Sequence, residues 1–322
     1  MKTTNFKFLL SFIGMTILLS SCWKTQKQVV INDQWQAQEN AKMFTRLTTD
    51  DDNVQTPIDQ SNNYFCFNKN ESKLFYLKSQ SNTQTNLFSK SLGSSSLSQQ
   101  ITFVDNKVFD PTVSPDDKYI MFSDRREKAW AIIAKEIGST NIINVRNTTK
   151  NDFSPVFFPN KRMILFSEYG DDKKIWLYQQ EWGNESSVNQ ITTGFSSCFF
   201  PDGKRFVFVR QNNATKKYDL LVYDFTSSQE IILKSDPNAS FYQPSVSKDG
   251  KWIAYTKWQQ VGKTPGNYDV FIVDAQGNNT QQITFNPSND VNPVWSKIQN
   301  NKLYILSGRT SDKYNIWSLK AY

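Results

Sequence analysis

Histidine is absent from this chain of 322 residues. That absence removes the one side chain that ordinarily titrates near neutrality, and with it Ser-His-Asp and Cys-His nucleophilic sites and every zinc site built on imidazole. No Gly-x-Ser-x-Gly elbow occurs either, so the usual hydrolase nucleophile has no place to sit. Cysteine is scarce. Of the three, Cys66 and Cys198 fall at hydrophobic strand positions in different repeats, which predicts buried free thiols and no disulfide. Ala-rich and heptad-like stretches are few, whereas Phe, Tyr and Trp make up 14% of the residues, a composition that favours strands over helices.

Long apolar runs are also lacking, apart from residues 8–19. That run follows Lys2 and Lys7 and leads into Leu19-Ser20-Ser21-Cys22. Its twelve residues fall short of the roughly twenty that a membrane-spanning helix requires. The order of basic start, short apolar stretch and small residues before a cysteine is that of a signal peptide ending in a lipobox. The expectation is removal of residues 1–21, a covalent lipid on Cys22, a polar tether over 22–43 and a folded domain over 44–322. Several acyl chains, at about 0.8 kcal/mol per buried methylene, make a stable anchor. The predicted location is the cell envelope, anchored at the periplasmic face of the outer membrane or at the cell surface. The net charge of +7 falls to +5 once Lys2 and Lys7 are removed. This mild, scattered surplus in an exported protein speaks against nucleic acid as a partner.

Self-similarity decides the fold. A proline, a hydrophobic pair, Ser or Phe, a polar turn and then Lys or Arg ahead of an apolar strand recur over residues 111–123, 155–167, 197–209, 244–256 and 293–307. A worn first copy begins at Tyr64. Anchors at 64, 111, 155, 197, 244 and 293 give a period in the forties, the size of a propeller blade. Third strands are expected at 86–90, 130–134, 174–178, 219–223, 269–273 and 315–319. Short outer strands are expected around 100–102, 190–192, 230–232 and 282–284, with a blurred copy near 144–145. Runs such as Phe206-Val-Phe-Val209 are apolar throughout because blades cover both faces of their middle strands. Asp202-Gly203 and Asp249-Gly250 supply the positive φ of tight hairpins, while Lys161 in the glycine place predicts a hairpin of different geometry. Proline is expected to start the inner strand, where a ladder donor can be spared. The sixth repeat runs out after its third strand, and a matching outer-strand signal, Arg46-Leu47-Thr48, stands at the other end of the chain. The fold class that follows is all-β: a six-bladed β-propeller closed by an N-terminal strand that completes the last blade.

The core Pro-x-Val/Trp-Ser-Pro-Asp-Gly-Lys, followed by Ile-Ala-Tyr/Phe and later Leu/Ile-Thr, resembles the repeat of TolB-like propellers, and the likeness covers about residues 44–322. The resemblance implies a WD40-like propeller in the cell envelope. It suggests as partner an envelope protein such as a peptidoglycan-associated lipoprotein. Family members of the TolB type carry an α/β domain ahead of the propeller, where this sequence shows only a tether, which puts a direct Tol–Pal role in doubt. The metal-dependent propeller lyases of pectin fragments rely on histidines that this chain lacks.

The candidate site is the channel mouth. Asp110, Asp152 and Asp290 stand just before inner strands, where the family shape points them toward one end of the channel, with Ser154, Ser196, Gln243 and Asn292 beside them. Such acids would either hold Ca²⁺ or a cationic peptide segment, or simply cap the turn into the strand through backbone N–H groups. Loop candidates are Trp182, in the stretch 181–187, and Trp258 with Lys263, in a long connection over 258–267 expected to be exposed. The leading expectation is a monomeric, non-catalytic, protein-binding scaffold with no cofactor beyond the lipid on Cys22. A binder of glycan or peptidoglycan fragments is the alternative, and a carboxylate-only glycan-active enzyme a further one.

Overall fold

The computed structural model describes residues 36–57, 62–93, 97–126, 129–261, 264–311 and 313–322. It comprises two compact units, Met1–Ala41 and Lys42–Tyr322. Of the first only 36–41 are described, as the start of a short helical turn, so the predicted signal peptide, Cys22 and most of the tether lie outside the described residues. The second unit is a six-bladed propeller. Six antiparallel sheets of four strands follow one another along the chain, and within the first five the strand order repeats the sequence order from the axis outward. Their inner strands are Phe65–Phe67, Val108–Val113, Asn151–Phe157, Phe195–Phe199, Ala239–Val246 and Asp290–Trp295, which we number as blades 1 to 6.

Blade 6 obtains its outer strand from the start of the unit: Thr45–Arg46 pairs with Asn315–Lys320, as the sequence predicts. The joint has its own chemistry. The Thr48 hydroxyl accepts the Ile316 N–H at 2.9 Å and donates to Asn315 Oδ1 at 2.9 Å. The same bond recurs where Thr102 accepts from Leu87 N and Thr284 from Val270 N, both at 2.9 Å. This explains the Leu/Ile-Thr signal: the outer strand leaves the ladder at that point, and the hydroxyl satisfies a buried third-strand donor that would otherwise be stranded. Blade 1 is fastened to blade 6 by Glu71. Its carboxylate accepts from Tyr304 OH at 2.6 Å, from Ser296 OH at 3.0 Å and from the Lys297 backbone N–H.

The role of the repeat proline differs from the expectation. In blades 2, 3, 5 and 6 it does not start the inner strand but sits inside it, at a bulge. In blade 2, Phe109 pairs with Ser123 and Thr112 with Met121, so Asp110 and Pro111 together oppose the single residue Phe122. The same two-against-one step recurs in blades 3 to 6. A bulged residue needs no ladder donor, and proline has none to give. Asp110, Asp152 and Asp290 therefore lie within inner strands and not ahead of them. The first copy is also displaced by one residue. Asn68 N bonds Lys73 O as Ser114 N bonds Tyr119 O, which makes Phe65, and not Tyr64, the counterpart of the proline. Blade 1 pairs without a bulge, which is why its copy looked worn.

The hairpins agree with expectation. Gly203 and Gly250 have φ of 64° and 69°, and Asp117 takes the same left-handed turn in its copy. Neither Asn160 nor Lys161 does. Asn160 instead donates from Nδ2 to the Asp202 carbonyl of the next blade at 3.1 Å. Cys66 and Cys198 are free and occupy corresponding inner-strand places in blades 1 and 4, where burial pushes their thiols up to about 12 and about 11. The seam makes a quantitative prediction. Thr48→Val leaves the buried Ile316 N–H without an acceptor and should lower stability in urea unfolding by about 1–3 kcal/mol, with Thr48→Ser recovering most of the loss.

Candidate functional site

Each bulge begins with a residue forced into the left-handed region. Asp110, Ser154, Ser196, Gln243 and Asn292 have φ between 50° and 56°. Side chains resist this conformation, at a cost on the order of 1–3 kcal/mol each, so something must hold them there. For four of the five it is a belt of bonds around the channel. Ser154 donates its backbone N–H to Ser123 Oγ at 3.0 Å and its hydroxyl to Asp110 Oδ2 at 3.1 Å, joining blades 2 and 3. Asn63 N–H donates to Asp110 Oδ1 at 2.8 Å and Asp110 N–H to Asn63 O at 3.1 Å, joining blades 1 and 2. Asn292 N–H donates to Gln243 Oε1 at 2.9 Å, and Tyr64 N–H to Asn292 Oδ1 at 2.6 Å, carrying the belt from blade 5 through blade 6 to blade 1. Gln243 Nε2 also donates to Asn62 O at 2.6 Å. Between blades 3 and 4 the belt changes character: Ser167 of blade 3 and Ser196 and Ser197 of blade 4 keep buried hydroxyl oxygens with no hydrogen-bond partner among the described residues.

Above the belt lies a cavity of about 600 Å³. Its lining is aromatic: Phe109, Trp130, Phe153, Tyr169, Phe195, Tyr218 and Tyr242, with Ile175, Arg125, Asn62, Asp110 and Ser123 among the rest. Phe109, Phe153, Phe195 and Tyr242 each immediately precede a left-handed residue, so one place of the repeat supplies four walls. Val291 and Asn63 hold that place in blades 6 and 1, which confines the aromatic arc to blades 2 to 5. Neighbours along the arc touch: Phe109 with Trp130 at 5.6 Å, Phe195 with Tyr218 at 5.5 Å and Tyr218 with Tyr242 at 5.3 Å between ring centroids. The sequence reading missed this arc. Its signal was present in the aromatic residue before the bulge in four successive copies.

The predicted mouth residues separate into three groups. Asp110 reaches the cavity, although it is only 2% exposed. Ser154, Ser196, Gln243 and Asn292 are buried at the start of the bulges. Asp152 and Asp290 occupy a different place of the repeat and are fully buried beside their own arginines, Arg146 at 3.6 Å and Arg309 at 3.0 Å. Thr148 donates to Asp152 at 2.7 Å, and the Arg309 guanidinium lies 3.5 Å from the centre of the Phe44 ring. The three acids thus do not form one ring, and among the described residues no cluster of three potential metal ligands occurs. Among the described residues Asp110 is the sole carboxylate lining the cavity.

The loop candidates are also relocated. Trp182 is half-buried and packs between Tyr119 and Phe157, at 5.4 Å from each. The connection over 258–267 is not an open loop but the end of a long hairpin, Trp252–Val261 with Thr264–Asp274, in which Trp258 pairs with Tyr268. Trp258 is half-buried, with Lys217 Nζ 4.6 Å from its ring centre. Lys263 lies outside the described residues.

Among the described residues the floor of the cavity carries one acid, Asp110. Burial pushes Asp110 up to about 6, against the opposing pull of the Asn63 N–H and the Ser154 and Ser123 hydroxyls. Burial likewise raises Asp152, partly offset by Arg146. A carboxyl with a raised folded-state pKa favours the protonated fold, so Asp110 costs stability as pH rises from about 4 through 6. Asp110→Asn should flatten this part of the stability profile, by up to about 3 kcal/mol between pH 4 and pH 7, measured as urea midpoints of both proteins.

No protein-family model matches the chain, and neither does any curated relative. Solved structures do match. The chain is similar to TolB from Acinetobacter baumannii, with a TM-score of 0.61 and 17% identity over 79% of this chain and 65% of that one. It thus spans just under two thirds of that protein. It is similar also to a putative TolB from Agrobacterium tumefaciens, with a TM-score of 0.55 and 19% identity over 66% of this chain and 73% of that one. An oligogalacturonate lyase from Vibrio parahaemolyticus has a TM-score of 0.53 and 12% identity over 87% of this chain and 97% of that one. The architecture is therefore that of TolB-like six-bladed propellers, and at these identities the likeness concerns the fold alone.

Proposed function

We propose that this chain is an exported envelope lipoprotein, with a signal peptide over 1–21, a lipid on Cys22, a tether over 22–43 and a propeller over 44–322 that acts as a scaffold for another envelope protein. The observation that carries the reading is the aromatic mouth. An arc of rings rich in Phe and Tyr is the kind of surface that anchors a protein contact, since such side chains bring large area at little entropic cost. Three of the four blades that carry the wall, blades 2, 3 and 5, have inner strands tied by the belt, so most of the surface is organised before the partner arrives. A single carboxylate, already surrounded by donors, favours holding a ligand over transforming one. The likeness to TolB proteins supports an envelope setting and a protein partner. A peptidoglycan-associated lipoprotein is one candidate.

A second reading is a binder of cell-wall glycan fragments, which the same rings favour by offering faces for sugars to stack on.

A photo-crosslinking residue at Phe153 or Arg125, introduced into the full chain in its host, tests both. The scaffold reading expects one protein to be captured from both positions and not from Asn160 on a hairpin, with Tyr218→Ala lowering capture at least tenfold. Capture of no specific protein, together with saturable binding of muropeptides by the purified chain, would replace it with the glycan reading. Labelling with radioactive palmitate should mark the wild type and spare Cys22→Ala.

A further inference from the structure

The mouth does not end at the axis. A groove of about 620 Å³ shares Tyr169, Ile175, Phe195 and Tyr218 with it and runs outward along the seam of blades 3 and 4 as far as Ile232 on the outer strand of blade 4, Gln229–Lys234. Gly194 in this lining packs closely on blade 4, where a Cβ would come within 2.5 Å of the Phe208 ring.

Three independent features give the groove a chemistry. Its floor carries Asp219, 6% exposed, whose Oδ2 accepts from Asn212 at 2.9 Å while Oδ1 has no hydrogen-bond partner among the described residues. A buried, unsatisfied carboxylate oxygen is costly to leave without a donor. Its wall carries cations: Arg210, paired with Glu230 at 2.8 Å; Lys174, 3.7 Å from Asp172; and Lys173, with no carboxylate within 4.0 Å among the described residues. Its outer end is apolar. Ile231 and Ile232 are 62% and 61% exposed, on an edge where the corresponding pairs are Gln99–Gln100 in blade 1, Asn189 and Gln190 in blade 3 and Gln281–Gln282 in blade 5, and where only blade 2, with Ile143 and Asn144, is also partly apolar.

We infer that the groove takes an extended acidic polypeptide segment, running from the mouth to the edge of blade 4. This rests on the scaffold reading and specifies the kind of partner segment. A peptide satisfies all three features at once. Backbone N–H groups can serve Asp219 Oδ1, acidic side chains meet Lys173 and Arg210, and an apolar side chain covers Ile232. A sugar chain has no use for an exposed isoleucine. From the inner to the outer strand there are three spacings of about 4.8 Å, so crossing takes at least about five extended residues at about 3.3 Å each. The free edge of Gln229–Lys234 offers backbone groups at the outer end.

Panning a random dodecapeptide phage library on the purified full-length chain tests this, with affinities of the enriched peptides measured on three variants. Lys173→Asp reverses the charge with a residue that tolerates the left-handed backbone at position 173, where φ is 63°. Ile232→Asp alters the edge, and Phe153→Ala alters the mouth alone. The expected result is peptides with an acidic residue between two apolar ones, each variant weakening them at least tenfold, and 1 M salt weakening them further. Loss with Phe153→Ala only would overturn the groove and leave the mouth standing. Indifference to all three, or no enriched peptide, would overturn both. If muropeptides bind in a Lys173-dependent way and no peptide does, the groove is a glycan site and the inference falls.

Discussion

Everything distinctive about this ring depends on one backbone conformation, the left-handed residue that opens the bulge in five inner strands. It lets the repeat proline sit within a strand without breaking a ladder. It also brings a short polar side chain to the seam between blades, where Asp110, Gln243 and Asn292 bond the neighbouring blade. The strain of the conformation and the bonds of the belt are two sides of one arrangement. The residue just before it is placed at the axial opening, so the same local geometry that joins the blades also furnishes the walls of the cavity.

How legible this was depended on whether the cause lay within one repeat or between two. Blade number, the tight Asp-Gly hairpins, the closing strand and even the unusual hairpin at Asn160 and Lys161 follow from residues close in sequence, and the repeat displays them. The bulge was not visible because Asp110-Pro111 reads the same whether proline starts a strand or interrupts one; only the pairing of Phe109 with Ser123 distinguishes the two. The acids were misread for a related reason. Asp110 precedes its proline by one residue, Asp152 and Asp290 precede theirs by three, and the latter two meet arginines, Arg146 and Arg309, that no rule of spacing would nominate. Trp182 and Trp258 were expected on loops because the stretch 181–187 and the long connection over 258–267 fall between strand signals. One is absorbed between blades and the other lies on an extended hairpin.

The ring is six-fold in architecture but lopsided in chemistry. Blades 5, 6, 1, 2 and 3 are tied by the belt, while blade 4 has serines that keep hydroxyls unbonded. The aromatic arc spans blades 2 to 5, and the groove opens along one flank of blade 4. A repeat protein gains a site by letting some copies diverge while the others maintain the frame. A similar propeller occurs in TolB and in an oligogalacturonate lyase, so the divergent copies, and not the fold, carry the functional information.

The closing strand has a mechanical consequence. Its two residues, Thr45–Arg46, are the first ladder positions that a pull on the start of this unit would load, and they belong to the last blade of the ring. Tension arriving through Phe44 is thus delivered to the seam, where Lys42 also donates to the Ala321 carbonyl at 2.8 Å, before it reaches any other blade. Under load the ring would open like a clasp at this one joint. The aromatic opening on blades 2 to 5 is carried by other strands of the circle and would yield later.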